Sequence, residues 1–257
     1  MIYFCIPCHD EAVTIGLVLW KIRKVLEDLP HEYQMLVGDD ASTDGTAEVL
    51  AQYAKVLPLT VIRSDRRLGY AATVERLLRE ALKHSDRHKR DAAVLLQADF
   101  TTDPGDLPEF LKRLDSGADV IVGEATLEQE PDRWRRMVRR WAPRLLGSRA
   151  QVPGIRDVVS GFVAFRLIAL RNAFRDHQGN WLTVDGWAAN AELLTWAAAA
   201  ARRVEPLAIP ERIDRRQRAS RHGPWARARE LWAARRRFVT PPVTPRTAPD
   251  SPSKEAA

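Results

Sequence analysis

The stretch of the sequence that most suggests chemistry is an acidic turn between an apolar run and a helical run. The run Tyr33 to Gly38 has the length of a strand, and apolar residues from Thr46 to Ala54 recur at helical spacing. In open α/β sheets, ligands bind at the carboxyl ends of strands, where a carboxylate can accept hydrogen bonds from a base or a ribose hydroxyl. The turn therefore predicts a nucleotide site. An ordinary turn with solvated acids has the same composition, so both interpretations stay open. The polar residues of this turn are Asp39, Asp40, Ser42, Thr43 and Asp44.

Three further segments combine an apolar strand with polar or small residues: 2–11, 93–104 and 157–166. In the first two the polar residues follow the strand, and in the third the turn Ser160-Gly161 precedes it. We expect these turns to lie side by side, because the carboxyl ends of parallel strands share one edge of a sheet. The residues delivered to this edge are Pro7, His9, Asp10 and Glu11, then Gln97, Ala98 and Asp99.

Strands are predicted at residues 2–7, 33–38, 60–63, 92–97, 120–123 and 161–166, with helices between most of them. This alternation predicts an α/β fold in which helices cover both faces of a mostly parallel sheet. The domain is expected to span 1–222, followed by a basic amphipathic helix at 223–238 and a disordered, Pro-rich tail at 239–257.

Length and cysteine content fit a reduced, globular protein. A chain of 257 residues can bury a large core without disulfides. Cys5 and Cys8 are three positions apart in one strand, so their side chains should face opposite sides as buried thiols. No signal peptide is recognised, and no apolar run reaches the about 18 residues of a spanning helix. These features predict a cytoplasmic protein.

The charge is distributed unevenly along the chain. Residues 1–130 carry 15 basic and 23 acidic side chains, a net charge of −8, whereas residues 131–240 carry 23 Arg and 9 acids, a net charge of +14. Arginine suits planar, bidentate contacts with phosphate. Nucleic acid is not the expected partner, since the acidic half would repel it and no known nucleic-acid module is recognised.

Two Arg-rich segments have the pattern of amphipathic helices. In 132–146, apolar residues recur at i, i+3, i+4, i+7 and i+11, although Pro143 is expected to kink its end; 225–238 has a broader apolar side. Trp at the boundary with Arg on the polar face suits a helix that lies on a membrane surface. A helix packed on the core with a solvated basic face is the alternative.

In this order, the motifs resemble those of family 2 glycosyltransferases with the GT-A (nucleotide-diphospho-sugar transferase) fold, especially the dolichyl- and polyprenyl-phosphate sugar synthases. Pro7-Cys8-His9-Asp10-Glu11 is similar to the family's Pro-x-Tyr-Asn-Glu, and residues 39–46 match Asp-Asp-x-Ser-x-Asp-Gly-Thr. The resemblance covers roughly residues 2–222. Three further parts of the sequence are more loosely similar to the family. Residues 67–73 are similar to its motif Lys/Arg-x-Gly-x-Gly-x-Ala. The later matches are Gly186-Trp187 together with Glu192-Leu193-Leu194, and Asp214-Arg215 together with Ser220-Arg221.

The sequence also departs from the family pattern. The family's Asp-x-Asp reads Gln97-Ala98-Asp99, so the first carboxylate is an amide while the metal-ligating Asp is kept. An Arg often found after Ser-Gly-Phe is Val163, and a late glycine is Arg218. The resemblance implies that Asp99 and the donor's phosphates hold Mg²⁺ or Mn²⁺, both of which prefer oxygen ligands.

The resemblance implies an inverting transfer of a hexose from a nucleotide-diphospho-sugar, of the GDP-mannose or UDP-glucose type, to a polyprenyl phosphate or a related acceptor at the membrane surface. The expected location is the cytoplasmic, inner face of the membrane, by peripheral contact or through a membrane-protein partner. The implied donor-binding residues are Pro7, His9, Glu11, Asp39, Asp40, Ser42, Gly69, Gln97 and Ala98. The implied acceptor-binding residues are Ser160, Gly161, Glu192, Arg215, Ser220 and Arg221, and the implied catalytic residues are Asp99, Asp185 and Arg215.

Two alternatives remain at this stage. A hydroxyl acceptor would need a carboxylate base, for which Asp185 is the first candidate and Glu192 the second; an ordinary solvated helix residue is the alternative for Glu192. The departures at Gln97, Val163 and Arg218 would also fit a non-catalytic subunit or sensor that binds a nucleotide-sugar.

Overall fold

The strands form one seven-stranded sheet in the computed structural model, which describes residues 1–126, 133–147, 150–175, 177, 179–210 and 223–241. The strands are β1 (Ile2–Cys8), β2 (Tyr33–Asp39), β3 (Leu59–Arg63), β4 (Ala92–Leu95), β5 (Val120–Ala125), β6 (Val163–Arg166) and β7 (Val204–Ile209). Their order is β3-β2-β1-β4-β6-β5-β7. β6 runs antiparallel to both of its neighbours, and the other strand pairs are parallel, so the prediction of a mostly parallel sheet is confirmed.

Helices connect most of the strands. They are α1 (Ile15–Leu26), α2 (Thr46–Tyr53), α3 (Tyr70–His84), α4 (Leu107–Asp115), α5 (Arg133–Leu146), α6 (Leu167–Ala173), α7 (Gly186–Ala200) and α8 (Pro224–Ala234). A short 3₁₀ turn, Pro104–Asp106, precedes α4.

The sheet is buried on both faces. Alternate residues of β1 enter different core clusters, Tyr3 and Cys5 on one face and Phe4 and Cys8 on the other. This follows from the two-residue side-chain period of a strand. It confirms that Cys5 and Cys8 are buried thiols that face opposite sides, and burial raises the pKa of both.

Sequence reasoning missed β7, which pairs in parallel with β5 at one edge of the sheet. Its central residue is Pro206, which has no N–H to donate and argues against an internal strand. Proline is tolerated here because an edge strand has hydrogen-bonding partners on one side only.

Several predicted boundaries are wrong by a few residues. β4 ends at Leu95 and β6 begins at Val163, so Gln97 and Gly161 lie in the turns beyond the strands. α8 ends at Ala234, before the predicted 238. By contrast, α5 ends at Leu146 as predicted for the 132–146 segment, and its helical span includes Pro143.

Candidate active site

Three strands of the parallel part of the sheet end at the same edge, and each delivers polar residues there. β1 leads to His9 and Glu11, β2 to Asp40, and β4 to Gln97 and Asp99. Together these residues line a cavity of about 180 Å³, which confirms the predicted grouping of the turns after these three strands. The remaining residues of its wall are Pro7, Cys8, Arg67, Tyr70, Thr73 and Ala98.

The first two acidic turns are locked together by hydrogen bonds. Asp10 Oδ1 accepts from the N–H of Thr43 at 2.8 Å, and Ser42 Oγ accepts from the N–H of Asp10 at 2.9 Å. The Thr43 N–H lowers the pKa of Asp10, because it stabilises the carboxylate form. Ser42 therefore connects the turn after β2 to the turn after β1.

Backbone strain is concentrated in the three turns. The non-glycine residues with positive φ are Asp10 at 52°, Ala41 at 54° and Phe100 at 60°, among the residues whose backbone the structure describes. One such residue follows each of β1, β2 and β4. Strained conformations of this kind persist where the surroundings over-determine them, and they cluster at functional sites.

The two aspartates at the end of β2 have different surroundings. Asp39 is fully buried; its Oδ1 accepts from the N–H of Ser42, and its Oδ2 lies 3.5 Å from Arg63 Nε. Within the described residues, Asp39 Oδ2 makes no hydrogen bond. Asp40 accepts from the N–H groups of Leu68 and Gly69, at 2.6 and 3.0 Å. The alternative interpretation, an ordinary turn in which both aspartates are solvated, is wrong because both side chains are buried.

The loop before α3 and the first turn of α3 are each held by an aspartate. Asp40 binds the backbone of the loop at Leu68 and Gly69, and Asp185 Oδ1 accepts from the N–H of Ala71 at 2.8 Å. Gly69 has φ of 95°, and a Cβ there would lie 2.9 Å from Asp185 Oδ2. Glycine is therefore required at 69 both for conformation and for space.

Gln97 takes part in a partly buried series of hydrogen bonds. Its Nε2 donates to Tyr70 Oη at 3.0 Å and to the carbonyl oxygen of Gly161 at 3.3 Å. Tyr70 in turn donates to Asn190 Oδ1 at 2.8 Å, and Asn190 donates to the carbonyl oxygen of Val159. Burial raises the pKa of Tyr70 to about 12, so the hydroxyl keeps its proton and remains a donor. These hydrogen bonds join α3 and α7 to the turn after β4.

The register of the sheet explains why Gln97 meets Gly161. β4 and β6 are antiparallel, with Leu95 opposite Val163, and two further residues bring position 97 opposite 161. A Cβ at position 161 would lie 2.4 Å from Gln97 Nε2, so only glycine leaves room for the amide.

Asp99 is the carboxylate that fits a metal best. It lines the cavity, and its Oδ1 accepts from the N–H and the hydroxyl of Thr101 at 3.1 and 2.6 Å. In the part of the chain that the structure describes, no three His, Cys, Asp or Glu side chains converge as a complete metal site. A divalent cation at Asp99 therefore fits if a bound diphosphate supplies further oxygen ligands, as is common for Mg²⁺.

A second cavity, of about 540 Å³, adjoins the first. Arg67, Tyr70, Gln97 and Asp99 belong to both walls, so the two cavities meet at these side chains. The predicted residues Gly69, Gly161 and Asp185 line the second cavity, as does Gly186.

Sequence analysis did not assign Arg139 of α5, Arg227 of α8 or Trp187 of α7 to the site, although all three line the larger cavity. The two guanidinium groups lie 5.7 and 4.4 Å from the Trp187 ring centroid, and Arg139 also pairs with Asp157 at 2.8 Å. The available signal was the arginine-rich pattern of both helices. It did not show which arginines turn inward.

Four of the predicted site residues lie outside the walls of these two cavities: Asp39, Ser42, Ser160 and Glu192. Ser160 is buried, and its hydroxyl donates to the carbonyl oxygen of Gly123 at 2.6 Å. Arg215, Ser220 and Arg221 lie outside the described residues.

Glu192 lies neither in the wall of either cavity, as a site residue would, nor on a solvated face of α7. Its side chain is fully buried and accepts from the N–H groups of Thr183, Val184 and Val239 and from the Thr183 hydroxyl. The alternative of an ordinary solvated helix residue is therefore wrong. The burial also argues against Glu192 as an acceptor contact or base, because its oxygens already bind the segments around α7.

None of the helices in the described part of the chain could span a lipid bilayer, judged by length and hydropathy. Helix α7, for example, has 15 residues, fewer than the about 20 that a spanning helix needs.

Comparison with known proteins places this chain in a family. The model of "Glycosyl transferase family 2" matches residues 3–174. The chain is 27% identical over 168 residues to a dolichol-phosphate mannosyltransferase of Pyrococcus furiosus, covering 63% of this chain and 45% of that protein. It is 26% identical over 133 residues to an undecaprenyl-phosphate 4-deoxy-4-formamido-L-arabinose transferase of Pseudomonas savastanoi pv. phaseolicola, covering 51% and 37%. The chain thus spans less than half the length of either relative.

Among solved structures, the chain is similar to glucosyl-3-phosphoglycerate synthase of Mycobacterium tuberculosis in complex with Mn²⁺, UDP-glucose and phosphoglyceric acid. The TM-score is 0.61 at 18% identity, over 91% of this chain and 79% of that one. The fold is that of the GT-A glycosyltransferases, as predicted.

Proposed function

The chain belongs to glycosyl transferase family 2, and from this we propose that it is an inverting glycosyltransferase that moves a hexose from a nucleotide-diphospho-sugar to a polyprenyl phosphate. The observation that carries the proposal is that Asp99 stands where two cavities meet. The smaller cavity at the strand ends suits the donor, and the larger, arginine-lined cavity suits an anionic acceptor. The reacting atoms would meet beside Asp99.

The walls of the smaller cavity support a nucleotide donor. Glu11 offers carboxylate oxygen atoms at the end of the sheet where α/β proteins bind nucleotides, and Asp40 shapes the same wall by holding the backbone of Leu68 and Gly69. Asp39 is fully buried outside the cavity wall, and its Oδ2 makes no hydrogen bond within the described residues, so it would accept from an imino N–H of uracil or guanine once the base displaces part of that wall. Donors of the UDP-glucose and the GDP-mannose type both carry such a group. Arg67, which lines both cavities, suits the diphosphate.

Asp99 would hold Mg²⁺ or Mn²⁺ together with the donor's diphosphate. When bound, the cation supplies neutralisation of the charge that develops on the leaving nucleoside diphosphate. The related synthase of M. tuberculosis was solved with Mn²⁺ and UDP-glucose, which supports this choice of metal. Gln97 contributes no charge, so this chain should bind the cation weakly until the donor is present.

The acceptor is proposed from the larger cavity. Arg139 and Arg227 offer guanidinium groups to a phosphate, and Trp187 gives an apolar surface between them. A phosphate oxygen would attack the anomeric carbon as the bond from that carbon to the diphosphate oxygen breaks. The configuration inverts in such a single displacement, and no base is needed because the phosphate is already ionised.

A hydroxyl acceptor is the second candidate, and it would require a base. Asp185 lines the cavity, but its Oδ1 accepts from the N–H groups of both Ala71 and Gly186 at 2.8 Å. These bonds commit that oxygen to holding the first turn of α3 and the start of α7. We therefore favour the phosphate acceptor.

The two curated relatives are named for transfer involving dolichol phosphate and undecaprenyl phosphate. A polyprenyl phosphate is anchored in a membrane, so the proposed activity requires peripheral contact with a membrane surface. The cytoplasmic, inner face remains the predicted side. A nucleotide-sugar sensor without turnover is the competing role, motivated by Gln97.

The proposal is tested by comparing Asp99→Asn with Asp103→Asn. Asp103 caps the neighbouring 3₁₀ turn and lies outside both cavity walls. Transfer of labelled sugar to a short polyprenyl phosphate, with Mn²⁺ or Mg²⁺, should be lost in Asp99→Asn and kept in Asp103→Asn. Both variants should keep the thermal midpoint of the wild type. Full activity of Asp99→Asn would reject the metal assignment, and donor binding without any transfer by the wild type would favour the sensor.

A further inference from the structure

Helices α5 and α8 expose an unusual number of large apolar side chains. Trp134, Met137 and Trp141 of α5 are 39%, 38% and 49% exposed, and Trp225 and Trp232 of α8 are 65% and 59% exposed. On each helix these residues are spaced by three, four or seven positions, which places them along one side. We call these five side chains the tryptophan face.

The two helices form one continuous surface. The rings of Trp134 and Trp225 lie with their centroids 5.2 Å apart. Val138 and Ala142 of α5 and Leu231 of α8 enter the same core cluster, so the opposite sides of both helices are anchored. The exposed tryptophans are therefore held in place by the fold.

Positive charge surrounds the tryptophan face. α5 contains no acidic residue, and α8 contains only Glu230. The guanidinium of Arg144 lies 4.7 Å from the Trp141 ring centroid, in cation–π geometry. Other arginines on or directly after these helices are Arg136, Arg140, Arg229, Arg235, Arg236 and Arg237.

This combination selects one kind of partner. Tryptophan favours the boundary between headgroups and acyl chains, and arginine is attracted to anionic headgroups. A protein partner could also bind tryptophan and arginine, but it would have to supply many carboxylates to match this charge. An anionic membrane supplies the negative charge and the apolar layer together.

The same helices also reach the acceptor cavity. Arg139 of α5 and Arg227 of α8 line its wall, so a surface seated on α5 and α8 lies next to the place where the acceptor would bind. We propose that the tryptophan face docks the protein on an anionic lipid surface and brings the larger cavity to the membrane. The inference rests on the proposed function in one respect, since a lipid-linked acceptor gives the docking its purpose.

Vesicle binding tests the docking without requiring turnover. The full chain is sedimented with phosphatidylcholine vesicles that contain phosphatidylglycerol, and with vesicles of phosphatidylcholine alone. The wild type should bind the anionic vesicles more tightly, and added salt should weaken that binding. No binding, or equal binding to both kinds of vesicle, would overturn the proposal.

The matched variants are the double change Trp141→Ser with Trp232→Ser and the control Trp20→Ser. Trp20 lies on α1 and is 54% exposed, so it presents a similar apolar area elsewhere. The double variant should lower the vesicle partition coefficient about tenfold or more, because two interfacial side chains are lost. The control should bind as the wild type does. Equal binding by all three proteins, or equal loss in the control, would contradict the assignment.

Two readouts separate this inference from the proposed function. In the absence of vesicles, the double variant should transfer sugar to a short polyprenyl phosphate as well as the wild type does, whereas transfer to vesicle-embedded acceptor should fall. Absence of transfer to both the short and the vesicle-embedded acceptor would reject the proposed function. The docking would then be tested by vesicle binding alone. Light scattering gives a further check: a wild-type dimer that the double variant converts to a monomer would make the tryptophan face a contact between copies and overturn the proposal.

Discussion

Gln97 Nε2 donates to the carbonyl oxygen of Gly161 at 3.3 Å, and the register of β4 and β6 brings these two residues together. The amide at 97 is therefore matched to its surroundings. A carboxylate at this position could not donate to Gly161 or Tyr70. We interpret the departure from the family's Asp as part of a rearranged hydrogen-bond network beside Asp99.

The isosteric change Gln97→Glu tests this network. It removes the donor and sets a negative charge against the carbonyl oxygen of Gly161, so the free energy of unfolding should fall by about 1–3 kcal/mol. Urea denaturation measures the change. Gln52→Glu on the exposed side of α2 is the control and should leave stability nearly unchanged. Equal stability of the two variants would show that the amide donor does not matter.

Gly161→Ala approaches the same contact from the other side. The new Cβ would lie 2.4 Å from Gln97 Nε2, so the amide must move and lose its bonds, at a cost of about 1–3 kcal/mol. The control Gly223→Ala places a Cβ where no atom lies within 4 Å. In a Gln97→Ala background the Gly161→Ala change should cost less, which a double-mutant cycle detects. Additive effects would argue against direct contact.

Asp40→Asn should loosen the loop before α3. An amide can accept through one oxygen only, so the N–H of Leu68 or of Gly69 loses its partner. Trypsin cleavage after the exposed Arg66 and Arg67 should become several-fold faster. Asp65→Asn, an exposed neighbour in the same loop, should be cleaved as the wild type is. If Asp40→Asn were equally resistant, the loop would be held by other contacts.

Glu192→Gln separates a structural role from a catalytic one. The carboxylate accepts from the N–H groups of Thr183 and Val239 at 2.7 and 2.9 Å, and an amide NH₂ would face one of these donors. The free energy of unfolding should fall by about 1–3 kcal/mol, whereas the exposed control Glu48→Gln should have little effect. A variant with unchanged stability but without transfer would instead support the base role.

The grouping of polar residues at one edge of the sheet could be predicted from the sequence because it follows from simple patterns. An apolar run followed by acids places His9, Asp40 and Asp99 at strand ends, and parallel strands bring those ends together. Residues that meet through tertiary packing were not predictable in this way. The helical pattern at Glu192 does not show that the helix is buried on all sides, and nothing local joins Arg139 to Arg227 across Trp187.

The most direct test of the central claim is the release of nucleoside diphosphate by the wild-type protein. A panel of UDP- and GDP-sugars would be supplied with Mn²⁺ or Mg²⁺ and with a short polyprenyl phosphate, the matching polyprenol, phosphoglycerate or no acceptor. We predict rapid release from one donor of the panel, and this release should require both the polyprenyl phosphate and the metal. Release that is equally fast with the polyprenol or with phosphoglycerate, or no release with any pair, would contradict this prediction.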